Sequence, residues 1–323
     1  MKSFIHINAR TVAEACGYLR QYKGRAVLHA GGTDLLATLK AENLFQYPEA
    51  VINIKSITGL DLIEGGNEGL KIGATARLSH IIDSPLIRDH YPLLAEAAHS
   101  VATPQIRHTA TIGGNLCQDV RCWYYRYPRH IGGPRQCARK GSGPCLAVKG
   151  DNRYHAVMEA RKCFAVGPSD MAVALAALDA RLVISGPDGQ RTVAVTDFYG
   201  SLSKKLEMDE MIQAIEIPGS SERTAQKFLK FTLRDPVDFA VVSVAAVVAI
   251  ENGLCTEACI ALGALAPGPV RAGKAEEILT GRPINEETAT EAAEQALTGA
   301  RPLSLNAYKI PIAKALIKKA ILG

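Results

Sequence analysis

Five of the eight cysteines in this chain of 323 residues fall in one stretch, at positions 117, 122, 137, 145 and 163. They are interleaved with Arg, Gly and Pro, as in Gln136-Cys137-Ala138-Arg139-Lys140-Gly141-Ser142-Gly143-Pro144-Cys145. That pattern lacks the apolar periodicity of a buried strand or helix. A free cysteine's ordinary home is an apolar core, so thiols crowded into an irregular loop point to a bound metal or cluster. In a reducing compartment such groups serve metal or redox chemistry more than structural disulfides. Zinc sites pair their cysteines in tight knuckles, whereas Cys122, Cys137, Cys145 and Cys163 are separated by fourteen, seven and seventeen residues. The spacing favours an iron–sulfur cluster in an extended loop and leaves zinc open. Cys117 is a spare thiol. His155 could replace a sulfur, but Arg153-Tyr154-His155-Ala156 reads as the setting of a hydrogen-bonded structural histidine.

Two glycine pairs offer a second chemistry. Ala30-Gly31-Gly32-Thr33-Asp34 lies between a strand over Ala26–His29 and a helix resuming at Leu35, a turn that aims backbone N–H groups at an anion, as phosphate sites require. Thr111-Ile112-Gly113-Gly114-Asn115 repeats the device, its bare glycines letting backbone approach a ligand closely. A glycine turn before a helix cap explains either one alone; two in one domain carry more weight. Pro168-Ser169-Asp170 precedes an apolar helix Met171–Leu178, so Ser169 or Asp170 is expected as its N-cap, and Asp170 reads equally as that cap or as a ligand contact.

The elements that must hold these loops follow from local pattern. Thr11 and Glu14 form a capping box before an apolar face of Val12, Ala15, Cys16 and Leu19, which makes Cys16 a packing residue. A strand over Val51–Ile54 completes a βαβ-like unit. Hairpins are predicted around Gly65–Gly69 and Gly186–Gly189, and helices over Leu78–Ile82 and Leu86–Val101. After a strand over Glu210–Ile217 and a linker at 220–222, strands are predicted over Gln226–Leu233 and Phe239–Glu251. Asn252-Gly253 turns the second into a partner strand running to Leu265. Cys255 and Cys259 sit on one face of that strand as ordinary strand residues. Helices over Glu286–Leu297 and Pro311–Ile321 close the chain.

The length suggests two or three lobes. A net charge of +5 is mild, and scattered Lys and Arg argue against a nucleic-acid surface. No apolar run is long enough for a membrane span, and Met1–Arg10 lacks a signal-peptide core, so a cytoplasmic protein is expected.

Taken together, Ala30-Gly31-Gly32-Thr33-Asp34-Leu35, Thr111-Ile112-Gly113-Gly114-Asn115-Leu116, Pro168-Ser169-Asp170-Met171-Ala172 and Lys230-Phe231-Thr232-Leu233-Arg234 resemble the FAD-binding subunit of the molybdenum hydroxylases. This is the group of xanthine dehydrogenase, aldehyde oxidoreductase and carbon monoxide dehydrogenase, and the likeness spans essentially the whole chain in order. Most members lack a cysteine-rich loop here. The 4-hydroxybenzoyl-CoA reductase β subunit and the flavin subunit of periplasmic aldehyde oxidoreductases carry one with an additional [4Fe-4S] cluster.

The resemblance implies an α+β fold. A two-lobed FAD-binding domain of the PCMH/vanillyl-alcohol-oxidase type would cover 1–221, with lobes 1–56 and 57–221 and the loop 117–163 inserted. A smaller α+β domain with a three-stranded sheet and helices would follow over 222–323. FAD would be held by Ala30, Gly31, Gly32, Thr33, Asp34, Leu35, Thr103, Thr111, Gly114, Asn115, Asp119, Asp170 and Lys230. Asp170 would lie on the ribose or adenine side and Lys230 near the isoalloxazine. The [4Fe-4S] ligands would be Cys122, Cys137, Cys145 and Cys163; the adjacent Trp123, Tyr124 and Tyr125 would shield the cluster or pack at an interface, and ordinary core packing accounts for them equally well. No general base or nucleophile is expected. Partners would be a large molybdopterin subunit and a small subunit with [2Fe-2S] clusters, compatible with a dimer of heterotrimers and with export beside a signal-bearing partner. A stand-alone FAD oxidase and a zinc-binding scaffold are the alternatives. Because the glycine loops lie outside the cysteine stretch, flavin is expected to stay bound when a thiol is lost.

Overall fold

A computed structural model describes residues 1–66, 69–219, 224–235 and 237–323; the tip of the first hairpin and the linker expected at 220–222 lie outside them. The first lobe runs β1 (Ile5–Asn8), α1 (Val12–Tyr22), β2 (Ala26–His29), α2 (Leu35–Ala41) and β3 (Ala50–Asn53). Its three strands are parallel in the order β1-β3-β2, so the helices are crossovers, as parallel pairing requires. Thr11 caps α1 by accepting the Glu14 N–H at 3.1 Å, but the Glu14 carboxylate takes the N–H of Arg10 rather than that of Thr11. The Cys16 thiol is buried and reaches the Ser185 carbonyl of the second lobe at 3.4 Å.

That lobe contains β4 (Ile63–Gly66), β5 (Gly69–Gly73), α3 (Leu78–Asp83), α4 (Pro85–His90), α5 (Pro92–His99), α6 (Pro104–Arg107), α7 (Ile112–Cys117), α8 (Asp170–Ala177), β6 (Arg181–Gly186), β7 (Gly189–Ala194), α9 (Val195–Phe198) and β8 (Met211–Pro218). Its strands form one antiparallel sheet, β4-β5-β8-β6-β7. The single helix expected over Leu86–Val101 is two. Pro92 brings no N–H and disfavours helical geometry at Tyr91, whose φ of −133° breaks the run. Every residue of α8 is buried, packed with α5 and the sheet into the largest apolar core.

The remainder is β9 (Thr224–Phe231), β10 (Val242–Glu251), β11 (Leu254–Gly263), β12 (Val270–Arg271), α10 (Gly273–Leu279), α11 (Glu286–Ala296) and α12 (Lys309–Leu322). The three long antiparallel strands expected are present, extended by the two-residue β12. Strand β10 is covered on both faces. Val242, Val244, Ala246 and Val248 join the core with the C-terminal helices, and Ala245 and Val247 meet the α8 side. It also starts later than expected: the preceding residues form a turn in which Asp238 accepts the Arg234 N–H at 3.1 Å and pairs with its guanidinium at 2.7 Å. Cys255 and Cys259 do not share a face. A bulge in β11 opposite Ala249/Ile250 inserts one residue between them. Cys255 therefore packs under the C-terminal helices, while Cys259 meets Arg271 and Asp179. Nothing in the sequence flagged α10, which begins at a glycine without a side-chain cap. Among the described residues no helix is long and apolar enough to cross a membrane.

Candidate functional site

Where the two lobes meet the C-terminal sheet there is a cleft of about 570 Å³, within the range of small-molecule sites. Its walls include residues 30–35, then Thr111, Gly114 and Asn115, and finally Asp119, Asp170 and Lys230. Thr103 does not line it; Val101, Ala102 and Ile106 do. The reason is a turn at Ala102, whose φ is 45°. Buried Arg107 holds that turn by donating from Nη1 to the carbonyls of His99, Val101 and Ala102 at 2.9–3.0 Å. Ala102 is thereby carried to the cleft in place of Thr103, and no local signal in the sequence announces it.

The two glycine loops pack backbone against backbone. A Cβ on Gly31 would run into the Thr109 carbonyl, and one on Gly113 would come within 2.8 Å of the Ala74 carbonyl oxygen. Gly32 has a φ of 71°, which side chains resist. Among the described residues the N–H groups of Gly31, Gly32 and Thr33 have no protein acceptor. Three unpaired donors along one wall of a cleft are what an anionic ligand needs. On the opposite loop Thr111 caps α7 through the Gly114 N–H at 3.2 Å, and Asn115 Oδ1 accepts from Ser169 Oγ at 2.6 Å. Ser169 is also the N-cap of α8, accepting the Ala172 N–H at 3.0 Å, so Asp170 is not needed as the cap.

Two carboxylates sit differently from the expectation. Asp34 is engaged on both oxygens: Arg121 Nη1 at 2.6 Å, Arg126 Nη2 at 2.8 Å and the Asp119 N–H at 2.9 Å. It faces the cysteine stretch as well as the cleft. Asp170 and Lys230 form a buried ion pair at 2.8 Å, so they cannot serve opposite ends of an extended dinucleotide. Burial, partly offset by Lys230, raises the Asp170 pKa.

A second, smaller cavity lies in the cysteine stretch, lined by Cys122, Cys137, Cys145 and Cys163 together. Cys117 is not among them; it opens onto the larger cleft at the end of α7. Cys122 and Cys163 share a small apolar cluster with Val120, Ala165, Tyr124 and Tyr125. Donors are aimed at the sulfurs. Cys122 receives the N–H groups of Tyr125 and Tyr124, Cys163 receives that of Ala165 at 3.4 Å, and His155 Nε2 lies 3.3 Å from Cys122 Sγ. His155 is buried edge-on to Trp123, and burial, with Lys309 nearby, lowers its pKa to about 4. Burial also pushes the Cys122 thiol up to about 11. Among the described residues, no three His, Cys, Asp or Glu side chains gather closely enough to hold a single metal ion. The basic residues prove less scattered than expected: residues 121–162 carry ten Lys or Arg against two acids. Several of them, including Arg121, Arg126 and Arg139, turn inward to carboxylates.

Residues 2–220 match the family model described as "FAD binding domain in molybdopterin dehydrogenase", and residues 227–323 match "CO dehydrogenase flavoprotein C-terminal domain". The chain belongs to the FAD-binding subunits of the molybdenum hydroxylases. It is 32% identical to the aldehyde oxidoreductase FAD-binding subunit PaoB of Escherichia coli over 97% of this chain and 96% of that one. The nicotinate dehydrogenase FAD-subunit of Eubacterium barkeri is 30% identical over 89% of this chain and 83% of its own length. Among solved structures, carbon monoxide dehydrogenase from Hydrogenophaga pseudoflava superposes with a TM-score of 0.79 at 27% identity, over 99% of this chain and 96% of that one. As a flavin subunit of this family the protein is an oxidoreductase component, and its cleft is walled mainly by the FAD-binding domain with Lys230, Asp238 and Phe239 of the C-terminal domain closing one side. Among the wall residues that sequence reasoning missed, Arg121 lies on the cysteine stretch and Asp238 and Phe239 on the turn before β10. The guanidinium of Arg121 stacks on the Phe239 ring at 4.6 Å. Arg121 carried one usable signal, its place beside Cys122.

Proposed function

We propose that this chain is the FAD- and [4Fe-4S]-containing electron-transfer subunit of a heterotrimeric molybdenum hydroxylase. It would pass electrons between the [2Fe-2S] clusters of a small partner subunit and an external acceptor or donor, with substrate chemistry on a large molybdopterin subunit. The observation that carries the reading is the convergence of Cys122, Cys137, Cys145 and Cys163 on one cavity from positions spread over some forty residues. One cysteine per iron is the ligation such a cluster uses, and it does not require three ligands to gather on one ion. Relatives that are FAD subunits of an aldehyde oxidoreductase and a nicotinate dehydrogenase support the partner assignment.

FAD and the cluster supply the redox chemistry when bound; the chain's own share is position and electrostatics. The free N–H groups of Gly31, Gly32 and Thr33 suit the pyrophosphate, and Gly114 leaves the opposite wall open for close approach. Thr111, Asn115 and Ser169 fix that wall. At the thiols, the N–H donors of Tyr124, Tyr125 and Ala165 and the cations Arg139 and Lys140 offset the negative charge of a thiolate cluster. Tyr124 and Tyr125 wall the cavity against water.

The test is metal and flavin analysis of the complex purified anaerobically, beside a Cys145→Ser variant. One FAD per chain is expected, and about four irons fewer in the variant. Stoichiometric zinc at these thiols, with iron unchanged by the substitution, would overturn the reading.

A further inference from the structure

The cysteine stretch and the first glycine loop are held together by one carboxylate. Asp34 follows the three unpaired N–H groups of 31–33 and opens α2, and it receives two guanidinium groups from the segment around Cys122. Arg126, which continues the turn that begins at the Cys122 carbonyl, also donates to the carbonyls of Val120 at 2.6 Å and Asp119 at 3.0 Å. Around it the same two regions are laced again. Lys140 Nζ donates to the Asn43 carbonyl at 2.6 Å, Asn43 Nδ2 donates to the Arg126 carbonyl at 3.3 Å, and Arg129 pairs with Glu42 at 3.5 Å. Lys140 lies three residues after Cys137 and Arg121 one before Cys122.

We propose that Asp34 is a positioning residue, a clasp through which the loaded thiol site sets FAD affinity, and that the two cofactors bind cooperatively. The inference rests on the cluster reading above. Two physical effects act together. A loop of 3-10 turns with a small apolar cluster is ordered mainly by its metal, so without it Arg121 and Arg126 leave Asp34 and the glycine turn loses its anchor. The charge beside the N–H groups also reverses: two guanidinium groups and one carboxylate are net positive, whereas the carboxylate alone repels a diphosphate. This replaces the expectation that flavin binding is indifferent to the thiols.

Coupling between sites is reciprocal, which gives two readouts independent of activity. In the purified complex, FAD is removed and titrated back, with binding followed by flavin fluorescence, for wild type, Cys137→Ser and Asp34→Asn. Iron release to a chelator is timed with and without FAD. Cys137→Ser should weaken FAD by about 5- to 150-fold, the usual span of such coupling, and Asp34→Asn should weaken it through the lost anchor alone, since it removes the repelling carboxylate together with the clasp. The double variant should be little worse than either single, because both act on one clasp. FAD should slow iron loss in wild type and not in Asp34→Asn. Should Asp34→Asn fail to accumulate, Arg126→Met replaces it, since it cuts the clasp from the other side. FAD affinity unchanged in Cys137→Ser after its iron is gone overturns the coupling and leaves the cluster standing. Wild type without iron overturns both.

Discussion

Lys230 Nζ sits 2.8 Å from Asp170 Oδ2, with both side chains less than a tenth exposed, and donates also to the Ser100 carbonyl at 2.8 Å. The pair joins β9 of the C-terminal domain to the head of α8 at the edge of the cleft. Removing one member of a buried pair leaves the other charge uncompensated, which costs about 3–5 kcal/mol. Lys230→Met should therefore lower stability by about that amount, measured by urea unfolding. Combining it with Asp170→Leu should restore much of the loss, since replacing both partners with apolar groups is often neutral. A double variant as weak as the single would show that the wall, not the charge, matters there.

The glycines should separate into two kinds. Gly31 is packed on the Thr109 carbonyl, so Gly31→Ala is expected to unsettle the fold, seen as a lower melting temperature. Gly114 meets only the Thr111 hydroxyl, 2.9 Å from its Cβ position, and opens on the cleft. Gly114→Val crowds the Thr111 hydroxyl but no backbone, so it should lower the melting temperature of the flavin-free chain less than Gly31→Ala does, and lose bound FAD. Full flavin occupancy in Gly114→Val would remove this loop from the site.

Four thiols should differ from a fifth. Serine at Cys122, Cys137, Cys145 or Cys163 is expected to lower iron by about four per chain, measured by metal analysis of the complex. Cys117→Ser should leave iron unchanged, because its sulfur faces the other cavity. The reverse result, with iron lost through Cys117 or through His155→Ala, would redraw the ligand set.

Lys309 gives a pH dependence of known sign. It is fully buried, its ammonium donates to the carbonyls of His155 at 3.2 Å and of Ala264, and burial lowers its pKa to about 7. The unfolded side chain titrates near 10.4, so between about 7 and 10.4 the unfolded chain holds a proton that the folded chain does not. Stability should rise with pH across that window, by up to about 1.4 kcal/mol per unit, and the penalty is complete below about 7. Lys309→Met removes the titration. The difference between the two proteins in urea midpoint should then shift in favour of wild type from pH 7 to 9, whereas a constant difference would mean that Lys309 is neutral or solvated throughout.

What the sequence determined was local. Ser169 as a cap, the Asn252-Gly253 turn with φ of 53° and 80°, and the two glycine loops depend on a few adjacent dihedrals and side chains, and they stand where their residues placed them. The five thiols of the cysteine stretch were conspicuous for a related reason, since cysteine stands out in a polar, irregular segment wherever the chain later carries it; that four of them line one cavity and Cys117 another is a tertiary outcome. Tertiary structure decided which groups meet. Asp34 takes its charge partners from 87 and 92 residues away, and Asp170 takes Lys230 from 60. Charges pair through space, and their spacing along the chain does not encode the distance. One extra residue in β11 turned Cys259 away from Cys255, because a strand's side chains alternate and a single insertion reverses every face beyond it. Ala102 rather than Thr103 reached the cleft because Arg107 gathered three carbonyls around it, a contact that forms only once the turn has closed.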